Sequence, residues 1–361
     1  MKLVKDTIGL QPSQVLYQNI VDLLINNAPG ITHIAISVPI NSSAEFEQYG
    51  NKPSPLTPEA FTDMLLDTIH NAGYGALIRG TDCYGEGIYN FPFKPQTAQE
   101  WINEITPYLT LHKAHLKNGD LIGLFPEFEG EQNSSSGQIQ AFGANVTDSW
   151  PNFFTGIISA VKTWSTENGI DLIPYTTVNA SEALSGFYPE GVVQVQGGFV
   201  IDNYPPATGL TDAEWIASAK QTIDTLNTKY GPFPVFLQEI ADTRAAVDGV
   251  FPQLADPGLT AEFLTQVGIP YLQSGHLLGL NLWCLFDTPQ EGILTIDGDS
   301  VSLNPKGQAL SQALKTAFGS VTTTPVPTPP ITPTPPATTT LQVSGTMTTN
   351  GTSITLELQS H

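Results

Sequence analysis

The sequence predicts an α/β fold, a (β/α)8 barrel, followed by a Pro/Thr-rich linker and a short β-rich C-terminal fragment. Three observations carry this. Short apolar, β-rich runs alternate with amphipathic helical segments through the chain ahead of the linker. Polar residues follow nearly every apolar run at its C-terminal end, where a parallel barrel exposes its reactive groups. No GxGxxG or GxxxxGK[ST] turn occurs, which an open doubly wound sheet usually carries at its ligand site.

Taken in order, a helix is expected around Val15 to Asn26, and a short strand near Lys5 to Leu10 ahead of it would complete a set of eight. Ile31 to Val38 reads as the first clear strand. Thr57-Pro58 opens a helix whose Phe61, Met64, Leu65 and Ile69 share one face, and Gly73 closes it before the strand Gly75 to Gly80. Thr97 with Glu100, and Thr211 with Glu214, have capping-box spacing, in which the hydroxyl satisfies a free helix amide and the glutamate reaches back. The remaining strands are Leu121 to Phe125, Ile170 to Tyr175, Phe199 to Asp202, Pro234 to Glu239 and Leu278 to Trp283.

Residues 1–320 are expected to form the barrel domain, 321–340 the linker and 341–361 the truncated start of a β module. VTTTPVPTPPITPTPPATTT carries no charge and little but Pro and Thr, a composition that favours extended polyproline geometry over a core. Asn350-Gly351 beside an alternating run reads as a hairpin turn. Such spacers join modules of extracellular enzymes, so a secreted or cell-surface location is expected, although MKLVKDTIGLQ holds no apolar signal stretch.

Lys and Arg number 13 against 34 Asp and Glu, a formal charge of −21. That balance repels phosphate backbones and anionic lipid, so no nucleic acid partner is expected. No apolar run reaches the roughly 18 residues of a spanning helix, so no membrane insertion is expected either. Cys83 and Cys284 lack metal-ligand spacing and leave open one bridge, with two free thiols favoured. No cofactor is implied, and a monomer is the expectation.

The strand ends supply the chemistry. Arg79 and Asp82 follow one strand; Glu127, Glu129 and Glu131 the next; then Tyr175 and Asn179; Asp202, Asn203 and Tyr204; Glu239; and Trp283. Two carboxyl groups facing each other across a cleft are what glycosidic cleavage requires, one protonated to assist departure and one ionised to attack. Glu127 and Glu239 are the expected pair. Arg79 would keep Glu239 ionised, Tyr204 would hydrogen-bond it, and Trp283 offers a flat face for a sugar ring. Asp82, Glu129, Tyr175, Asp202 and Asn203 complete the expected substrate-binding set around a carbohydrate. His33 is expected to be a hydrogen-bonded strand histidine. Other readings are a structural ion pair of Glu239 with Arg79 or Arg244, a solvated loop for the three glutamates, a Mg²⁺ or Ca²⁺ site on Glu127, Glu129 and Asp202, and a barrel that binds glycan without turnover.

This layout resembles the clan A retaining glycosidases, whose TIM barrels carry acid/base and nucleophile glutamates on strands four and seven. The resemblance covers roughly Leu10 to Phe318. It rests on Pro126-Glu127-Phe128, on Gln238-Glu239, on Asp202-Asn203-Tyr204-Pro205 and on the last-strand Trp283. It implies hydrolysis of a poly- or oligosaccharide with retention, Glu127 as acid/base and Glu239 as nucleophile. The family commonly has Asn-Glu-Pro at the first acid, whereas Pro126 stands here in the place of that Asn.

Overall fold

The computed structural model describes residues 2–3, 13–38, 57–80, 97–125, 150–185, 190–203, 210–231, 235–240, 258–282, 292–319, 347–349 and 352–354. Strands β1 (Lys2–Leu3), β2 (His33–Val38), β3 (Gly75–Gly80), β4 (Leu121–Phe125) and β5 (Ile173–Thr176) pair in parallel in that order. A second parallel set runs β6 (Val178–Asn179), β7 (Phe199–Asp202), β8 (Val235–Glu239), β9 (Leu277–Leu280). Only Thr177 separates β5 from β6, so the two sets share one interrupted strand and the order passes through eight strand positions. The break has a visible cause: the Thr176 amide donates to the Gln196 side-chain carbonyl at 2.7 Å instead of to a strand.

Helices fill the connections: α1 (Gln14–Asn27), α2 (Pro58–Asn71), α3 (Ala98–Leu111), α4 (Trp150–Asn168), α5 (Ala180–Ser185), α6 (Glu190–Gln196) and α7 (Asp212–Tyr230). They continue with α8 (Leu259–Phe263), a π-helical turn at Leu264–Gly268, α9 (Ile269–Ser274) and α10 (Pro305–Phe318). In the outer layer α1 packs on α2 and on α10, α3 on α4, α4 on α6, α5 on α7, and α8 on both α7 and α10. The last helix thus packs on the first, while β1 and β9 are not paired among the described residues. A hairpin, β10 (Leu294–Asp297) with β11 (Ser300–Leu303), precedes α10 and packs on α1, where Ser13 donates to the Asp299 carboxylate at 2.7 Å.

The helix starts follow the sequence signals. Thr57 accepts from the Ala60 amide with Pro58 in the first turn, Thr97 accepts from the Glu100 amide, and Thr211 with Glu214 forms a reciprocal box. Gly73 ends α2 at φ 85°, a conformation that costs an L side chain strain. The strands differ from expectation in small ways. The N-terminal strand pairs at Lys2–Leu3, ahead of Lys5 to Leu10, because Lys2 and Leu3 stand in register with Ala35 and Ile36. The last strand begins at Leu277 and its pairing stops at Leu280, short of Trp283.

Most buried apolar side chains lie between strands and helices, with Trp101, Trp215, Phe153 and Phe154 among the fully buried. A separate inner cluster holds Ala35, Leu77, Tyr175 and Val200, with Leu121 and Phe236 against it. These residues fill the barrel as a packed layer. Gly123 makes room for it: a Cβ there would stand 2.9 Å from the Tyr175 hydroxyl. At the N-terminal ends of the strands, fully buried Asp120 accepts from the Ala76 amide at 2.8 Å, from the Lys117 amide at 2.8 Å and faces His70 Nε2 at 2.9 Å. His33 belongs to this end too, with Nε2 3.1 Å from the Gly119 carbonyl.

The chain divides into two compact units, Met1–Val321 and Thr322–His361. In the second, β12 (Met347–Thr349) and β13 (Thr352–Ile354) pair antiparallel with Thr349 opposite Thr352, the register that a two-residue Asn350-Gly351 connection requires.

Candidate active site

In a parallel barrel, chemistry that draws on several strands sits at the C-terminal rim. There, β7 reads as alternating faces. Phe199 and Ile201 belong to the core under the helices, whereas Val200 belongs to the inner cluster. Asp202, two residues beyond Val200, is therefore on the inner side, and it is fully buried. Asn203 falls on the outer side: it is buried, and its Nδ2 reaches the Ala219 carbonyl of α7 at 3.5 Å.

Two of these strands lose their even register at the rim. Gly123 pairs with Tyr175 and Phe125 with Thr176, so β4 carries one extra residue, Leu124, just before its last residue Phe125. Ile201 pairs with Leu237 and Asp202 with Glu239, so β8 carries one extra residue, Gln238, directly before Glu239. Such bulges bend a strand and re-aim the side chains after them, and they concentrate at barrel rims and beside active sites. Beyond β9, the Asn281 amide donates to the Leu237 carbonyl at 2.8 Å, which ties the end of the last strand to β8.

Of the residues expected from sequence, Tyr175, Asp202 and Asn203 are described with their side chains. Tyr175 lies buried in the inner cluster, its ring 6.1 Å from that of Phe236. Arg79 and Glu239 are described as strand positions: Arg79 pairs with Ser37 and Gly123, and Glu239 with Asp202. Glu127, Glu129, Glu131, Asp82, Tyr204 and Trp283 lie outside the described residues, as do Arg244 and both cysteines. Among the described residues, no group of three or more His, Cys, Asp or Glu is arranged to hold a metal ion.

Sequence reasoning missed the two register steps, which leave no mark in residue type. It read Asp202 as a rim residue from FVID, but not its depth.

The displaced titrations among the described residues lie on or beside the outer helices. Burial pushes the Tyr74 phenol up. Burial also works to raise the Asp224 carboxyl, but its hydrogen bonds from Lys220 and Tyr271 outweigh this and hold it below the ordinary range. Lys220, bonded to Asp224 at 2.6 Å, is held above its ordinary value. This cluster joins α7 to α9 and stands apart from the rim strands in the chain.

No protein-family model matches the chain, and no curated protein matches it in sequence. Its similarity is to solved structures. A beta-glucosidase from Thermotoga maritima, in complex with cyclophellitol, superposes at TM-score 0.54 with 12% identity over 83% of this chain and 86% of that one. A broad specificity endoglucanase from an uncultured bacterium gives TM-score 0.53 with 13% identity, over 84% of each chain. A beta-glucosidase from Exiguobacterium marinum gives TM-score 0.52 with 12% identity, over 83% and 86%. The chain thus has the (β/α)8 fold that these clan A glycosidases share.

Proposed function

We propose that this protein is a glycoside hydrolase that cleaves β-glycosidic bonds of a poly- or oligosaccharide with retention, Glu239 attacking and Glu127 acting as acid and base. The reading is carried by the strand order. Leu121–Phe125 stands fourth and Val235–Glu239 seventh among parallel strands; the extra residue of the seventh, Gln238, directly precedes Glu239, and that of the fourth, Leu124, lies three residues before Glu127. The beta-glucosidases and endoglucanase that share the fold support the choice of substrate class.

In this mechanism Glu127 protonates the departing glycosidic oxygen while the Glu239 carboxylate bonds to the anomeric carbon. Glu127, now ionised, takes a proton from water, and that water displaces Glu239 and frees the sugar with its configuration retained. The two carboxyl groups need a separation of about 5–5.5 Å. Arg79 keeps Glu239 ionised by opposite charge. Tyr204 hydrogen-bonds Glu239, and Trp283 stacks on the sugar. Asp82 and Glu129 contact hydroxyls at the rim, and Tyr175 supports the floor from the inner layer. The Thr-Pro segment tethers the barrel to a β module outside the cell, and the enzyme acts as a monomer.

The test is turnover of a panel of aryl β-glycosides and soluble polysaccharides by wild type, Glu127→Gln and Glu239→Gln. Wild type is expected to hydrolyse at least one substrate, and each variant to lose about 10²–10⁴-fold in kcat. Full turnover in either variant removes its assigned role. Glycan binding by wild type with no hydrolysis of any activated substrate would assign a binding barrel instead.

A further inference from the structure

We infer that the β10–β11 hairpin is a clasp: anchored on the last helix, it caps α1 in trans through Asp299, and its release opens the barrel locally at the seam between the last and first βα units. The inference is independent of the glycosidase reading above.

The seam is held by the outer layer. Among the described residues, β1 pairs with β2 at Lys2–Leu3, and β1 and β9 are not paired. Helix α1 packs on α2, where the Tyr17 and Phe61 rings meet at 5.6 Å, and across the seam on α10 and the hairpin. At the C-terminal end of α1, Lys315 of α10 donates to the Asn27 side-chain carbonyl at 3.0 Å. The hairpin holds the N-terminal end.

Its base is fixed to α10. The Asn304 amide donates to the Ile293 carbonyl at 3.0 Å, and the Asn304 side chain donates to the Gly292 carbonyl at 2.7 Å. Leu294 stands opposite Leu303 and Ile296 opposite Val301, and these two cross-strand pairs pack with the main core. The tip is the two-residue connection Gly298-Asp299, with Gly298 at φ 58°. So short a loop leaves Asp299 one place to stand.

There Asp299 meets α1 twice. Its carboxylate accepts from the Ser13 hydroxyl at 2.7 Å, and its backbone carbonyl accepts from the Asn19 side-chain amide at 2.8 Å. Ser13 is the N-cap of α1, and its oxygen accepts from the Leu16 amide at 3.2 Å. The single hydroxyl proton goes to Asp299 while a lone pair caps the helix, so the hairpin fixes the rotamer in which the cap works. No acid stands in the first turn of α1, where the helix dipole favours one. Asp299 supplies that charge from 286 positions away. When the tip withdraws, α1 loses its fixed cap, its terminal charge and its support across the seam together.

The test is native-state hydrogen exchange, read peptide by peptide, on full-length wild type, Asp299→Ala, Asp299→Asn and Thr97→Ala. Asp299→Ala should speed exchange across Gln14–Asn27 by about tenfold, the combined effect of a weakened cap and a lost terminal charge, and leave α3 and α4 as in wild type. Asp299→Asn keeps an oxygen for Ser13 and loses the charge, so its rate should fall between the two. Thr97→Ala removes the cap of α3 instead and should leave α1 at the wild-type rate. Wild-type exchange of α1 in Asp299→Ala overturns the clasp. Equal acceleration of every helix by Asp299→Ala, or of α1 by Thr97→Ala, overturns the local seam, because α1 would then open only with the whole barrel.

Should the alanine variant fail to fold, salt decides the matter on wild type and Asp299→Asn. Raising it screens the charge at the helix end and should speed α1 exchange in wild type alone. An equal response of the two proteins overturns the inference.

Discussion

Asp120 and Asp202 are both fully buried aspartates, and they stand at opposite ends of their strands. Asp120 precedes β4 and gathers two backbone amides and His70. Replacing it by Ala strands those groups without partners, a loss of roughly 2–4 kcal/mol. Urea unfolding should report that loss, and turnover of an aryl glycoside at low denaturant should be close to wild type, because this end of the barrel lies below the packed layer. Gly123→Ala puts a Cβ 2.9 Å from the Tyr175 hydroxyl, in a layer with no space to give, and should cost about 1–3 kcal/mol. Glu127 and Glu239 were readable as candidates because each follows an apolar run. The Asp120 contacts were not, since His70 stands 50 positions away and nothing local joins them.

Elements with both faces buried announce themselves, which is why GALIRG, LIGLF and FVID were read to the residue. Helix starts were equally plain, because a hydroxyl or amide oxygen at the N-cap has one job. Asn304 shows how far that job extends: its Oδ1 accepts from the Gly307 amide at 2.9 Å, and its Nδ2 donates to the Gly292 carbonyl at 2.7 Å. Asn304→Ala should cost about 1–2 kcal/mol, seen as a lower midpoint in urea.

The Thr211–Glu214 box adds a pH dependence. The Thr211 amide, and then its hydroxyl, hold the Glu214 carboxyl below the ordinary range. Its stabilisation is present above the unfolded value and is lost as pH falls through the folded one. The Tm advantage of wild type over Glu214→Gln should therefore shrink on acidification; an advantage independent of pH contradicts this. Two elements were illegible or overlooked. The π turn lies directly ahead of Pro270, and the Ile269 amide bonds the Leu264 carbonyl five residues back. The β10–β11 hairpin carries an Asp297-Gly298 signal inside an alternating run, which sequence reading passed over.

At the scale of the molecule, alternation of strand and helix was enough to imply the barrel, because parallel strands need crossovers and eight such units close on themselves. What sequence could not supply was register, since slipping a strand changes no residue, and register is what brings Glu239 level with Asp202. The division at Val321 matches the change of composition there. A chain ending at Val321 should keep the wild-type Tm and aryl-glycoside kcat, while its rate on insoluble polysaccharide falls if the tail tethers substrate. The central claim is a covalent one, that Glu239 bonds to sugar during turnover. Its most direct test is intact-mass and peptide analysis after incubation with activated 2-deoxy-2-fluoro β-glycosides chosen from the hydrolysed series. The account predicts one added glycosyl group per chain, mapped to Glu239 and lost in Glu239→Gln. A glycosyl group on another residue, or active enzyme that turns the compounds over without ever carrying one, would contradict it.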